Sequence, residues 1–287
     1  VLHQLAKICA VVEDDAENLG RAATNLLKVS FCRTMIELAK VSFSHQSMSF
    51  KKPRPTLLLS FEDNDSEMVI AKWLESSRSI LDAATTGIVA RPRFVCCDAR
   101  ELGTKFPAES FDCVVTSPPY PNRMSYIREL RPYMYWLGYL DNGKDAGELD
   151  WQAIGGTWGC ATSNLTRWQP PEDIPIPHKN FGSILSRIAS NSPLLSRYVH
   201  RYFCDMALHV KELFRVVRPG GSIHYIIGNS KFYDVMLPAQ EILAGQFSAA
   251  GFCETRIEVI RKRTSKKELF EYVVSARKLG KPTRSCG

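Results

Sequence analysis

The sequence lacks several things that would each define a class. No apolar run reaches the roughly 18 residues that a membrane helix requires, so no membrane partner is expected. No charged-then-apolar leader pattern opens the chain, which starts on Val1 rather than Met. Its nine cysteines stand singly apart from adjacent Cys96 and Cys97. Without C-x-x-C spacing, neither a zinc ribbon nor a redox dithiol is indicated. An odd cysteine count with no leader pattern predicts reduced thiols inside a cell. His178, His200, His209 and His224 show no paired metal-ligand spacing, and no metal is expected. There is no internal repeat. Net charge is also absent from most of the chain. Of the net +7, residues 255–287 hold ten Lys and Arg against three Glu, leaving the remainder balanced. That basic end suits either an approach to phosphates or the guarding of an edge strand.

What is present reads as alternating helices and strands. Helical spacing runs from Val1 to about Ser44 and again from Glu67 to Ala84, with a breaker at Lys51-Lys52-Pro53-Arg54-Pro55 between them. Two short β-rich stretches follow, Arg93 to Cys97 and Phe111 to Thr116, as in a buried parallel sheet. Residues 124–140 are aromatic and helical. Residues 141–177 read as irregular, and their length marks a functional insertion. A long helix from Pro193 should stop at Arg218-Pro219-Gly220-Gly221, followed by a strand from Ser222 to Ile227. A helix near Pro238 to Ala250 and two strands, Glu254 to Arg261 and Leu269 to Ala276, complete an α/β pattern ending in a hairpin.

The segment with the clearest chemistry is Thr116-Ser117-Pro118-Pro119-Tyr120, directly after a strand. Ligands of open α/β sheets bind beyond the carboxyl ends of strands. Two prolines fix the backbone there and delay any helix. Ser117 brings a hydroxyl, Pro118 a carbonyl acceptor and Tyr120 a flat ring. Such a set can hold an amino group on two acceptors while its ring stacks. A simple Pro-Pro-Tyr turn or a docking motif for a proline-binding domain is the other reading.

Ser-Pro-Pro-Tyr after a hydrophobic strand resembles the catalytic motif of S-adenosylmethionine-dependent DNA amino-methyltransferases, in a bacterial site-specific branch. Further segments resemble that branch in order: Cys97-Asp98-Ala99-Arg100-Glu101-Leu102, Tyr126-Ile127-Arg128, Tyr135-Trp136-Leu137-Gly138, Arg215 to Gly221, Ile227-Gly228-Asn229-Ser230, Arg261-Lys262-Arg263 and Glu271-Tyr272-Val273-Val274. Together they span about residues 90–278. The resemblance implies a Rossmann-like methyltransferase sheet, mostly parallel with a terminal antiparallel pair. It implies Ser117, Pro118, Pro119 and Tyr120 as the catalytic set around a flipped base, with S-adenosylmethionine as cofactor. Asp98 and Cys97 would lie on the cofactor side; alone, Asp98 reads secondarily as a helix N-cap, and Cys97 reads as core before pocket wall. The Ser form of the motif favours cytosine N4 over adenine N6. A bacterial cytoplasmic setting, DNA as partner and a companion restriction endonuclease follow from the same resemblance.

One departure stands out. The family's glycine-rich Phe-x-Gly-x-Gly loop and its ribose-gripping acid are not found. The expectation is therefore a truncated or split enzyme lacking its first strands and binding cofactor weakly by itself. By domain, residues 1–90 form a helical segment packed on the catalytic domain. Residues 91–140 and 202–278 form the core, 141–201 an insertion and 279–287 a tail. Arg123, Trp158, Arg167, Trp168 and Lys179, with Arg187, Arg197 and Arg201, are the candidate nucleic-acid contacts. A packed lid is the alternative for the insertion. For the whole chain the alternatives are an RNA or protein-amide methyltransferase, or a non-catalytic DNA-binding subunit.

Overall fold

The computed structural model describes residues 1–39, 41–42, 49–50, 65–86, 92–122, 125–157, 160–263 and 268–280. They fall into two compact units, residues 1–93 with 129–142, and residues 94–128 with 143–287.

The first unit is helical. It contains α1 (Leu2–Asp14), α2 (Ala16–Leu38), a short antiparallel pair β1 (Val41–Ser42) and β2 (Ser49–Phe50), α3 (Asp65–Thr85), and the latter part of α4 (Tyr126–Trp136). Leu5, Ile8 and Val12 recur at helical spacing and bury against Phe31, Met35 and Val69. Trp136 meets Phe31 edge-on, with ring centroids 5.5 Å apart. The breaker at residues 51–55 lies outside the described residues.

The second unit holds β3 (Phe111–Thr116), α5 (Gly143–Gln152), α6 (Cys160–Arg167), α7 (Phe181–Ala189), α8 (Pro193–Val216), β4 (Val217–Gly228), β5 (Ser230–Phe232), β6 (Val235–Leu237), α9 (Ala239–Ala250), β7 (Cys253–Lys262) and β8 (Phe270–Arg277). Helix α8 organises it. Ser192 caps the helix by accepting from the Leu195 amide at 3.3 Å, and Pro193 occupies the first turn, where no donor is needed. Val199, Tyr202, Phe203, Met206, Val210 and Leu213 then form one buried stripe. Against it lie Ile223, Tyr225 and Ile227, alternate residues of β4. Helix α9 ends on Gly251, whose φ of 105° is the left-handed conformation that favours glycine.

Strand order is β3-β4-β8-β7. β3 and β4 are parallel, while β4–β8 and β7–β8 are antiparallel. The described sheet is therefore mostly antiparallel, correcting the expected mostly parallel one. Residues 92–98, expected to supply a strand at Arg93 to Cys97, run without a ladder partner among the described residues, and Phe94 is 90% exposed. β3 is consequently an edge strand among the described residues. A second correction concerns residues 141–177, where α5 and α6 replace the expected irregular segment. Their glycines and polar residues hide the helical period. β4 also begins five residues earlier than expected, at Val217. The Pro219-Gly220-Gly221 stretch bulges out between the Phe111–Val217 and Cys113–Ser222 pairings rather than ending the strand.

His209 on α8 ties this core together. One ring nitrogen lies 2.8 Å from the Ala99 carbonyl and the other 2.7 Å from the Tyr225 hydroxyl. Burial holds its pKa below the ordinary 6.5. As pH falls below 6.5, the unfolded chain takes up this proton before the folded one, so stability drops until the folded pKa is passed. The urea midpoint should fall between about pH 7 and about pH 5 more steeply in the wild type than in His209→Gln. Parallel slopes would mean that this imidazole is not a source of acid lability.

Candidate functional site

The carboxyl end of β3 delivers Ser117-Pro118-Pro119-Tyr120 beside the end of β4, where Thr116 pairs with Tyr225. Pro118 is buried, Pro119 and Tyr120 are half-buried, and Ser117 is exposed. The Tyr202 hydroxyl donates to the Pro119 carbonyl at 2.6 Å. The turn is thereby tied to the middle of α8. The Gly155 backbone lies close by: a β-carbon there would stand 3.4 Å from the Tyr202 ring and 3.6 Å from Pro119. Ser117 donates to the Ile226 carbonyl at 3.2 Å, which leaves its oxygen lone pairs as acceptors.

Tyr120 sits in a slot. Its ring lies against the Gly228 backbone so closely that a β-carbon on Gly228 would be 2.9 Å from Cε2. The Arg263 guanidinium carbon is 5.9 Å from the ring centroid. Asn229 anchors the same corner. Its Nδ2 donates to the Glu268 carbonyl at 3.0 Å, and its Oδ1 accepts from the Phe270 amide at 2.9 Å. Burial pushes the Tyr120 phenol above its ordinary pKa, so it is a neutral donor at physiological pH.

Beside Ser117, Pro118 and Pro119 opens a cavity of about 510 Å³, bounded by Leu102, Phe106, Val114, Met206, Leu213 and Val216. Its walls suit the flat, weakly polar adenine of S-adenosylmethionine, and Thr116 and Ser117 add hydroxyls. Among the described residues no carboxylate lines it, and the polar atoms of His209 and Tyr225 are bonded to each other and to Ala99. The cofactor's ribose diol and amino-acid end thus find no charged partner here. Calorimetric titration of the 287-residue chain should therefore show weak or no S-adenosylmethionine binding. A tight one-to-one isotherm would contradict this.

Asp98 caps the short 3-10 turn at Ala99–Thr104, accepting from the Arg100 amide at 2.8 Å. Arg100 pairs with Asp98 at 2.6 Å and with Asp205 at 2.8 Å. The hydrogen bonds from Arg100 hold the Asp98 carboxyl below its ordinary pKa. Cys97 is half-buried, and the cavity begins one residue beyond Asp98, at Ala99.

The candidate nucleic-acid residues are dispersed. Arg167 ends α6 and Lys179 precedes α7, both exposed. Trp168 is half-buried and edge-on to His200 at 5.6 Å. Arg197 donates to the Thr166 carbonyl at 2.6 Å. Arg201 corrects an expectation. It is 8% exposed, lies 3.6 Å over the Trp151 ring and donates to the Trp151 carbonyl, so it holds α5 to α8 rather than reaching phosphate. Arg123 and Trp158 lie outside the described residues. Gly228, Asn229, Arg263 and Glu271 stand in family-like segments, where nothing local in the sequence gives them a role. Tyr202 carries no sequence signal beyond being one aromatic among many on α8.

No helix among the described residues is long and apolar enough to cross a membrane. No protein-family model matches the chain. The chain is similar to type II methyltransferase M.AvaI of Nostoc sp. and of Anabaena variabilis, each 27% identical over 168 residues, or 54% of this chain and 34% of theirs. Type II methyltransferase M.BsoBI of Geobacillus stearothermophilus is 23% identical over 185 residues, 55% of this chain and 35% of that protein. The chain spans about a third of the length of these curated relatives. Among solved structures, a candidate DNA modification methylase of Thermus thermophilus overlaps 65% of this chain and 55% of its own, with 19% identity and a TM-score of 0.31. That protein has also been crystallised with S-adenosyl-L-methionine. An overlap this loose carries nothing about the site. The sequence matches establish a distant relationship to bacterial type II DNA methyltransferases.

Proposed function

We propose that this chain carries the amine-methylating site of an S-adenosylmethionine-dependent DNA methyltransferase, acting on cytosine N4 in preference to adenine N6. One observation carries the reading: Ser117-Pro118-Pro119-Tyr120 is fixed at the carboxyl end of β3, beside an apolar cavity and pinned from below by Tyr202. A target base must leave the duplex to reach such a site. Tyr120 offers it a face to stack on. Ser117 Oγ and the Pro118 carbonyl accept the hydrogens of its exocyclic amine, which orients the nitrogen lone pair. Positioning of this kind is much of what catalysis requires. The cofactor, when bound, supplies an electrophilic methyl group on a sulfonium. No enzyme nucleophile is needed, so Cys97 and Cys113 stay outside the chemistry. Asp98 and Cys97 would approach the cofactor from the start of the 3-10 turn. Arg123, Trp158, Arg167, Trp168 and Lys179 are the proposed nucleic-acid contacts. A bacterial cytoplasmic setting and a companion restriction endonuclease complete the proposal.

The preference for cytosine rests on Ser117. A neutral hydroxyl accepts from an amine but draws its proton less strongly than a carboxylate would. The test is mass spectrometry of nucleosides from DNA treated with the protein as expressed from its own gene. N4-methylcytosine is the expected product. N6-methyladenine alone would overturn the base assignment and keep the enzyme class. No methylated base would favour an RNA or protein-amide substrate, or a non-catalytic DNA-binding role.

A further inference from the structure

We propose that Glu271 is a positioning residue for this site: held by Arg261, its carboxylate accepts the Tyr120 hydroxyl and sets the plane of the ring on which the target base stacks. The inference rests on the methyltransferase reading and adds a residue to it.

The sheet register carries the argument. Glu271 on β8 pairs with Gly228 on β4 on one side and with Arg261 on β7 on the other. Cross-strand partners point to the same face, so these three form one row at the end of the sheet. Tyr120 lies over the Gly228 member of that row, where a β-carbon would come within 2.9 Å of its ring. The missing side chain lets the phenol pass over β4 on the face of the sheet that the Glu271 side chain shares. Arg261 Nε holds that carboxylate from the far side at 2.5 Å. The Glu271 side chain is 15% exposed, against 71% for Arg261. Arg263 closes the slot, with Nη1 3.4 Å from the Asn229 carbonyl. A ring floored by Gly228 and edged by Arg263, with Glu271 placed on the same face to accept its hydroxyl, has one available plane, and a stacked base inherits it.

A plain structural ion pair would behave differently, because Glu271 would then act without Tyr120. Three variants separate the cases in the protein as expressed from its own gene: Glu271→Ala, Tyr120→Phe and the double change. Arg261 is exposed enough to be solvated once unpaired, so the fold should survive. Loss of a hydrogen bond to a charged group should lower kcat by about 10- to 100-fold. The KM for DNA should stay unchanged, since phosphate contacts are untouched. Tyr120→Phe should lose a similar factor, and the double variant should be no worse than either single one. Additive losses, or a loss confined to KM, would overturn the proposal. Ring-labelled tyrosine NMR supplies a readout without turnover. The Tyr120 signal, identified by its disappearance in Tyr120→Phe, should move in Glu271→Ala; an unmoved signal would show that the contact is absent. If the wild type methylates no DNA, the methyltransferase reading fails first, whereas an active wild type with an additive cycle sinks the Glu271 role alone.

Discussion

Tyr120→Ala is expected to lower DNA methylation by roughly 10- to 100-fold, the worth of one base–aromatic stack, while gel-shift affinity for DNA barely changes. The difference between the two readouts follows from where binding energy resides. Phosphate contacts supply most affinity and carry no information about the flipped base. Tyr120 touches Gly228 and Arg263 within the protein and, on the present reading, only the base outside it. Removing the ring takes away the stacking face and frees the slot between Gly228 and Arg263 for water. The fold should tolerate the change, because Tyr120 is half-buried and packs at the margin of the main core. Turnover and affinity, measured on one preparation with a thermal unfolding curve as control, make the check. Equal losses in both would make Tyr120 a structural residue and leave the base without its platform.

The parts of this site that could be read in the sequence are those whose causes are local. Phe111 to Thr116 is short and β-rich, and Pro118-Pro119 cannot continue a strand, so strand and turn are both visible. Helix α8 announces itself through Ser192, Pro193 and its apolar stripe. Gly251 marks the end of α9 by chain geometry alone. What could not be read depends on partners far along the chain. Residues 93–97 have strand composition, but a strand exists only where another offers a ladder. Arg201 has the look of a phosphate contact, and only the fold shows its guanidinium over Trp151. The row Gly228–Glu271–Arg261 joins three strands, two of them separated from the first by a helix. Nothing in the local sequence indicates that these residues meet, nor that Gly228 is small because Tyr120 lies on it. Helices α5 and α6 form from segments whose polar composition suits a loop equally well, and their packing against α8 and the residues around it decides the matter.

Tyr202→Ala is expected to cost about 3–5 kcal/mol of stability, a large share of the roughly 5–15 kcal/mol that typical domains possess. Tyr202 is 1% exposed and stands perpendicular to Phe203, with ring centroids 5.0 Å apart. Truncation would open a cavity between α8 and the Gly155 backbone that neighbouring helices cannot fill without shifting. Tyr202→Phe separates this packing from the hydrogen bond. It keeps the ring and removes only the donor to the Pro119 carbonyl, a loss of about 1 kcal/mol. Turnover should nevertheless fall in Tyr202→Phe, because the Ser117-Pro118-Pro119 turn carries both amine acceptors and loses its tie to α8. Chemical denaturation of both variants, with methylation rates for the Phe form, tests the pair. If Tyr202→Phe keeps full turnover, the Pro118-Pro119 turn is rigid through its prolines alone and α8 contributes packing only.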